Sequence, residues 1–229
     1  MLRRMTQDPA STRTAVLRAA EQLLAVGGIG GPSDREIIAL AGVGNKSAIS
    51  YHFGSRRGLV DAILADHGEV LRVRRALAYE QLVVGRGSQD LLGLCRVIVE
   101  PYATFLAEEP SQWAFLAVAQ FVLEDPREDP MGLPERFHDP LLTVLALQIL
   151  DQLSLPEVLG AERARVGVGH VIASLGARAR QQLAGIGGWT LAPLDLFTPN
   201  LVDMLHGSLV APPSSAALAA VSESATQSL

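Results

Sequence analysis

An all-α fold of about nine helices is predicted for this chain, and three observations predict it. Apolar residues recur at i, i+3 and i+4 spacing in one segment after another. Strand-like alternation is absent throughout. Stretches rich in glycine and proline (GGIGGP, GRGS and EDPREDPMGLPER) cut the periodic segments apart at helix-like lengths.

Taken in order, residues 1–11 read as a flexible arm carrying Arg3 and Arg4, which either enter a minor groove or stay solvated. From Thr12 to about Val26, the residues Val16, Ala19, Ala20, Leu23 and Leu24 form the apolar stripe of a first helix, which GGIGGP ends. Ser33 and Glu36 have the spacing of a capping box and open a second helix with Ile37, Ile38 and Ala41 on one face. Gly42 and Gly44 break it. Asn45 can cap a third helix that carries Lys46, Ser47, Ser50, Tyr51 and His52 around Ile49 and Phe53. Gly54 closes that helix, and Ser55 caps a long one running to about Val84, with Leu59, Ile63, Val70, Leu71 and Leu77 inward. Helices near 88–108, 111–124, 137–154, 161–185 and 194–209 follow. The acidic, proline-rich stretch EDPREDPMGLPER reads as a mobile, exposed loop. The small, polar stretch after residue 210 reads as a flexible tail.

This divides the chain into a helix-turn-helix domain with its arm (1–54), a helical body (55–210) and a tail (211–229). The 229 residues, 48% of them apolar, can build a sizeable core. A single cysteine, Cys95, excludes a disulfide framework, and its apolar neighbours mark it as an inert core thiol. No signal-peptide pattern opens the chain, and no apolar run approaches the ~18 residues of a membrane span. A soluble, cytoplasmic protein is expected. The net charge of −5 is unevenly placed: residues 1–75 hold 11 Lys and Arg against 7 Asp and Glu, whereas the remainder holds 8 against 17. A basic head on an acidic body suits a protein whose head meets phosphates. GGIGG resembles part of a dinucleotide fingerprint, but a helix rather than a strand precedes it. The histidines lack metal-site spacing and no nucleophile motif occurs, so neither a metal, a cofactor nor a catalytic residue is expected.

A short helix, a glycine turn and a helix bearing hydrogen-bonding side chains form the layout of a major-groove reader. The segments AGVGNKSAISYHF and GSRRGLV add detail. Together with the first helix and the capping box, over Thr12–Leu64, they resemble the TetR family of bacterial transcriptional regulators. In that family tyrosine, histidine and phenylalanine end the recognition helix, as Tyr51, His52 and Phe53 do here. The turn through Val43, Gly44 and Asn45 is one residue longer than the common family turn, and Ser50 replaces a frequent tyrosine.

Asn45, Lys46, Ser47 and Ser50 have side chains suited to base edges, and Ala48 is small enough to touch a thymine methyl. Lys46 can reach a guanine or a phosphate. The resemblance implies phosphate contacts for Tyr51 and His52. Arg56 and Arg57 stand at a helix start, where an anion is favoured, or form a solvated surface pair. Ser33 and Asn45 serve as phosphate donors or only as caps.

For the body, the resemblance implies a homodimer made by the helices near 161–185 and 194–209, and an effector pocket. Tyr102, Phe105, Trp113, Phe121, Phe137 and His138 are its candidate lining, each also a candidate core residue. Val166, Val168, Val171, Ile172 and Leu175 form one apolar stripe, and Leu201, Val202, Met204, Leu205 and Leu209 the other; both suit a dimer interface or the core. The expected protein is a ligand-responsive repressor that binds a palindromic double-stranded DNA operator and is released by a small molecule. An activator of the same fold, a helical small-molecule enzyme and a protein-interaction adaptor are the alternatives.

Overall fold

A computed structural model describes residues 9–86, 90–108, 110–124, 135, 139–184 and 191–227. These residues form ten α-helices and no strand: α1 (Pro9–Gly27), α2 (Asp34–Leu40), α3 (Ala48–Phe53), α4 (Arg56–Arg86), α5 (Leu91–Phe105), α6 (Pro110–Leu123), α7 (Pro140–Gln152), α8 (Glu157–Ala184), α9 (Leu194–Val210) and α10 (Ser215–Gln227). The all-α expectation holds. The expected mobile loop, apart from Glu124 and Glu135, and the first eight residues of the arm lie outside the described residues. So do the candidate pocket residues Phe137 and His138.

The first three helices and the start of α4 make a small head. α1 begins three residues earlier than its apolar stripe suggests. Proline suits a first helical position, since its missing N–H would have no partner there. Val16, Leu17, Ala20 and Leu24 of α1 meet Ile37 and Ile38 of α2, Ala48 and Ile49 of α3, and Leu59 and Ile63 of α4 in one buried core. α4 has 31 residues, about 46 Å of helix, and carries the chain from the head into the body. Leu59, Ile63 and Leu71 are buried as expected, but Val70 and Leu77 are exposed.

In the body, α5 and α6 occupy the middle. Seven consecutive residues of α6, Trp113–Ala119, are buried, so this helix is covered nearly all round. α6 packs on α8, α1 and α4, while α5 packs on α9 and α4. Cys95 is buried in α5, and burial pushes its thiol up to about 12, which keeps it protonated and inert. The apolar stripes of α8 and α9 divide: Val171, Ile172, Leu175, Leu201, Val202, Leu205 and Leu209 enter the protomer's own core, whereas Val166 and Met204 face outward. α10 occupies part of the stretch read as a tail, and most of its described side chains are exposed. Among the described residues, no helix is long and apolar enough to cross a membrane.

Head and body meet along α1, α4 and α6. Gly28 ends α1 with φ +75°, a conformation favouring glycine, and a Cβ built there stands 3.4 Å from the Phe121 ring of α6. Nearby, Glu21 and His67 are both buried and joined at 2.9 Å. The His67 ring stacks on Phe115 of α6 at 4.2 Å between centroids. Arg18 joins Glu21 at 3.0 Å and Asp66 at 2.6 Å.

Candidate nucleic-acid interface and body cavity

The reading segment is built outward from the head core. The capping box is present: Ser33 Oγ accepts from the Glu36 N–H at 3.3 Å, and the Ser33 N–H donates to Glu36 Oε2 at 2.7 Å. The Ser33 N–H first, and then the Ser33 hydroxyl, donate to the Glu36 carboxyl and hold it below its ordinary pKa. The Ser33 hydroxyl also donates to Glu36 Oε2 at 2.7 Å, so Ser33 works as a cap.

α3 begins at Ala48, three residues after Asn45. Asn45 Oδ1 accepts from the Ser47 N–H at 3.0 Å, an Asx turn that leads into the helix rather than a cap upon it. Lys46 and Ser47 therefore sit in the turn, not on the helix as the sequence suggests. Gly54 closes α3 with φ +72°, and Ser55 Oγ caps α4 by accepting from the Gly58 N–H at 3.0 Å.

Asn45, Lys46, Ser47, Ser50 and Tyr51 are all exposed. Tyr51 is 75% exposed, a large aromatic ring presented to solvent on a six-residue helix. His52 is half-buried and meets Tyr51 edge-on, with centroids 4.9 Å apart. Two expected contacts are corrected. Ala48 is only 1% exposed, because it shares the inward face of α3 with Ile49, so it cannot reach a thymine methyl. Arg56 spends its guanidinium on the loop between α1 and α2. It donates to the Ile29 carbonyl at 2.9 and 2.7 Å, to the Pro32 carbonyl at 2.6 Å, and to Asp34 Oδ1 at 2.9 Å. Arg56 thus clamps α4 to the head, while its neighbour Arg57 is exposed.

Arg13 is a residue that the sequence reading passed over. Its guanidinium lies 5.1 Å from the Phe53 ring centroid, which brings an exposed cation from α1 to the end of α3. Its only sequence signal is a basic residue early in the first helix.

The body holds a cavity of about 200 Å³ between α5, α7, α8 and α9. Tyr102 lines it, but Phe105, Trp113 and Phe121 do not. Phe105 is buried against Phe115, the Trp113 Nε1–H donates to the Glu108 carbonyl at 2.8 Å, and Phe121 lies at the head–body seam beneath Arg180. Among the described residues, the rest of the wall is aliphatic except for Thr143, and includes Ile98, Ala146, Val168 and Leu205. Arg75 and Asp139 form a fully buried ion pair beside it, and the Arg75 guanidinium lies 4.9 Å from the Tyr102 ring centroid. Burial pushes the Tyr102 phenol above its ordinary pKa, opposed by Arg75.

Residues 16–63 match the family model of bacterial regulatory proteins, tetR family. No curated protein matches the chain. Among solved structures, the chain is similar to NalD of Pseudomonas aeruginosa, the secondary repressor of the MexAB-OprM multidrug efflux pump, at 20% identity over 90% of this chain and all of that one, with a TM-score of 0.47. It is also similar to a gamma-butyrolactone receptor, an ArpA-like protein, at 24% identity over 86% of this chain and 98% of that one (TM-score 0.46). A third is the multidrug binding protein EbrR complexed with imidazole, at 18% identity over 94% of this chain and 100% of that one (TM-score 0.43). The amino-terminal head, with its capping box, glycine turn and closing Tyr-His-Phe run, is the part of the chain that matches the tetR family model.

Proposed function

We propose that this chain is a ligand-responsive transcriptional repressor that binds a palindromic operator as a homodimer, works in the cytoplasm, and is released from DNA by a small molecule. The observation that carries the reading is the exposed set Lys46, Ser47, Ser50 and Tyr51 on a turn and helix fixed to a rigid core. Short polar side chains there suit base edges, while Tyr51, His52, Arg57 and Arg13 suit phosphates. The chain acts by binding rather than by catalysis.

Two such heads multiply a weak contact. Val158, Val166, Leu196 and Met204 are exposed apolar residues on α8 and α9, and they supply the face for a second copy. The cavity beside Tyr102 supplies the effector site. A ligand there would favour a dimer geometry in which the heads no longer match half-sites ~34–36 Å apart.

The test is a gel shift with the intergenic DNA upstream of the chain's own gene. Lys46→Ala and Tyr51→Ala are each expected to weaken binding more than tenfold while remaining folded dimers in gel filtration. Undiminished binding by both variants would remove this segment from the interface.

A further inference from the structure

The polar cluster at the seam between head and body lies outside both the reading surface and the cavity wall. Glu21 of α1 is buried, and both of its carboxylate oxygens are engaged. Oε2 accepts from Arg18 Nη1 at 3.0 Å. Oε1 meets Nε2 of His67, on α4, at 2.9 Å; a carboxylate only accepts, so the imidazole donates. Arg18 turns its Nη2 to Asp66, the neighbour of His67 on α4, at 2.6 Å. Two adjacent residues of α4 are thus bonded to α1 in a ring of four side chains.

His67 is held in turn by the body. Its ring stacks on Phe115 of α6 at 4.2 Å and meets Phe105 of α5 edge-on at 6.1 Å between centroids. Elsewhere along the seam, at Gly28, the neighbour is the apolar Phe121 ring. Apolar contact resists separation but has no preferred direction, so it tolerates sliding. A buried, paired polar group holds one geometry, because a tilt leaves a desolvated donor or acceptor without its partner.

A small tilt has a large effect at DNA. Arg13, farther along α1, lies against Phe53 at the end of α3. From position 13 to position 21 is about 12 Å of helix. A tilt of about 15° at Glu21 therefore moves the end of α3 by about 3 Å, close to the ~3.4 Å rise of one base pair.

We propose that the Glu21–His67 bond sets the angle of the head on the body, and thereby the half-site spacing that the dimer accepts. Both are positioning residues, buried away from DNA. The inference rests on the proposed function for its consequence at DNA, while the angle itself is measured without DNA.

Spin labels at Leu40→Cys on α2 and Val144→Cys on α7, both exposed positions, report the head–body distance by pulsed electron resonance. The buried Cys95 is left in place, and labelled chain is diluted with unlabelled chain. His67→Phe keeps a ring against Phe115 and loses the donor; His67→Gln keeps a donor and loses the ring. His67→Phe is expected to broaden the distance distribution about twofold, whereas His67→Gln retains the wild-type width. In gel shifts, the wild type is expected to prefer the intergenic palindrome over the same palindrome lengthened at its centre by two base pairs by more than about tenfold, and His67→Phe by less than about threefold. Circular-dichroism melts report folding. Glu21→Met, which removes the acceptor, takes the place of His67→Phe should that variant fail to fold. The proposal is overturned by a wild-type width in His67→Phe, or by a His67→Gln distribution as broad as that of His67→Phe, which would assign the effect to ring packing. Broadening in His67→Phe with an unchanged spacing preference supports the bond as the anchor of the head and overturns its part in DNA reading. A wild type that binds no palindrome overturns the proposed function, and the distance distributions then decide the angle alone.

Discussion

In the head, polar bonds link near neighbours: Ser33 caps through Glu36, Asn45 holds Ser47, and Ser55 caps through Gly58. In the body, the most deeply buried polar contact joins Arg75 to Asp139, 64 positions apart. The head's caps are exposed, so each contributes little and leaves the neighbouring side chains available to DNA. The body's pair is fully buried, where a charge is tolerated only with its partner. Local bonds shape a surface, whereas the distant pair ties the start of α7 to the helix that runs into the head.

The largest expected effect comes from breaking that distant pair. Arg75→Met leaves Asp139 buried and uncompensated and should cost about 3–5 kcal/mol in urea unfolding. Adding Asp139→Asn should recover part of the loss, because the second charge also disappears. Recovery below the measurement error would show that the packing of Arg75 on Tyr102, rather than charge, sets the cost.

Arg56 interrupts the contrast, since it is a long-range contact inside the head. Arg56→Ala should cost about 2 kcal/mol, because it strips partners from the Ile29 and Pro32 carbonyls. Arg57→Ala should change stability by less than about 0.5 kcal/mol and weaken DNA binding instead. If both variants behave alike, Arg56 is not the clamp that its hydrogen bonds describe.

The seam between the two regions is sharpened by two glycines. Gly28 and Gly54 share nearly the same positive φ, so each substitution by alanine should cost about 1 kcal/mol. At Gly54 the new methyl group enters open space; at Gly28 it reaches ordinary contact with Phe121. A distinctly larger loss at Gly28 in thermal melts would show that α6 cannot yield at this point.

The same contrast explains what the sequence disclosed. A serine three residues before a glutamate is a local pattern, so the capping box could be read directly. The partners of Arg56 lie 22 to 27 positions away, and no local pattern announces them. Ala48 looks available beside Lys46 in the sequence because a cap at Asn45 starts the helix two residues too early. Phe121 and Phe105 look like Tyr102 in the sequence because aromatic residues suit both pockets and cores. Their separation depends on the packing of α6 against α1 and α4. The cavity wall has no mark in the sequence because Leu, Ile, Val and Ala at helical spacing signal a core, and a gap between helices leaves that spacing unchanged.

The smallest effect tests the cap itself. Ser33→Ala removes one acceptor at the start of α2 and should cost about 1 kcal/mol. Its pH dependence carries the sign. Glu36 has a lower pKa in the folded protein than its unfolded value of about 4.3, so it adds stability above that value. That stability fades as pH falls through the folded pKa, because protonation removes the charge that strengthens the carboxylate's bonds from the Ser33 N–H and hydroxyl. The difference between wild type and Glu36→Gln should therefore shrink as acid is added, since glutamine keeps the acceptor oxygen but has no charge to lose. A constant difference down to the lowest pH at which both proteins fold would place the stabilisation in the hydrogen-bond geometry alone.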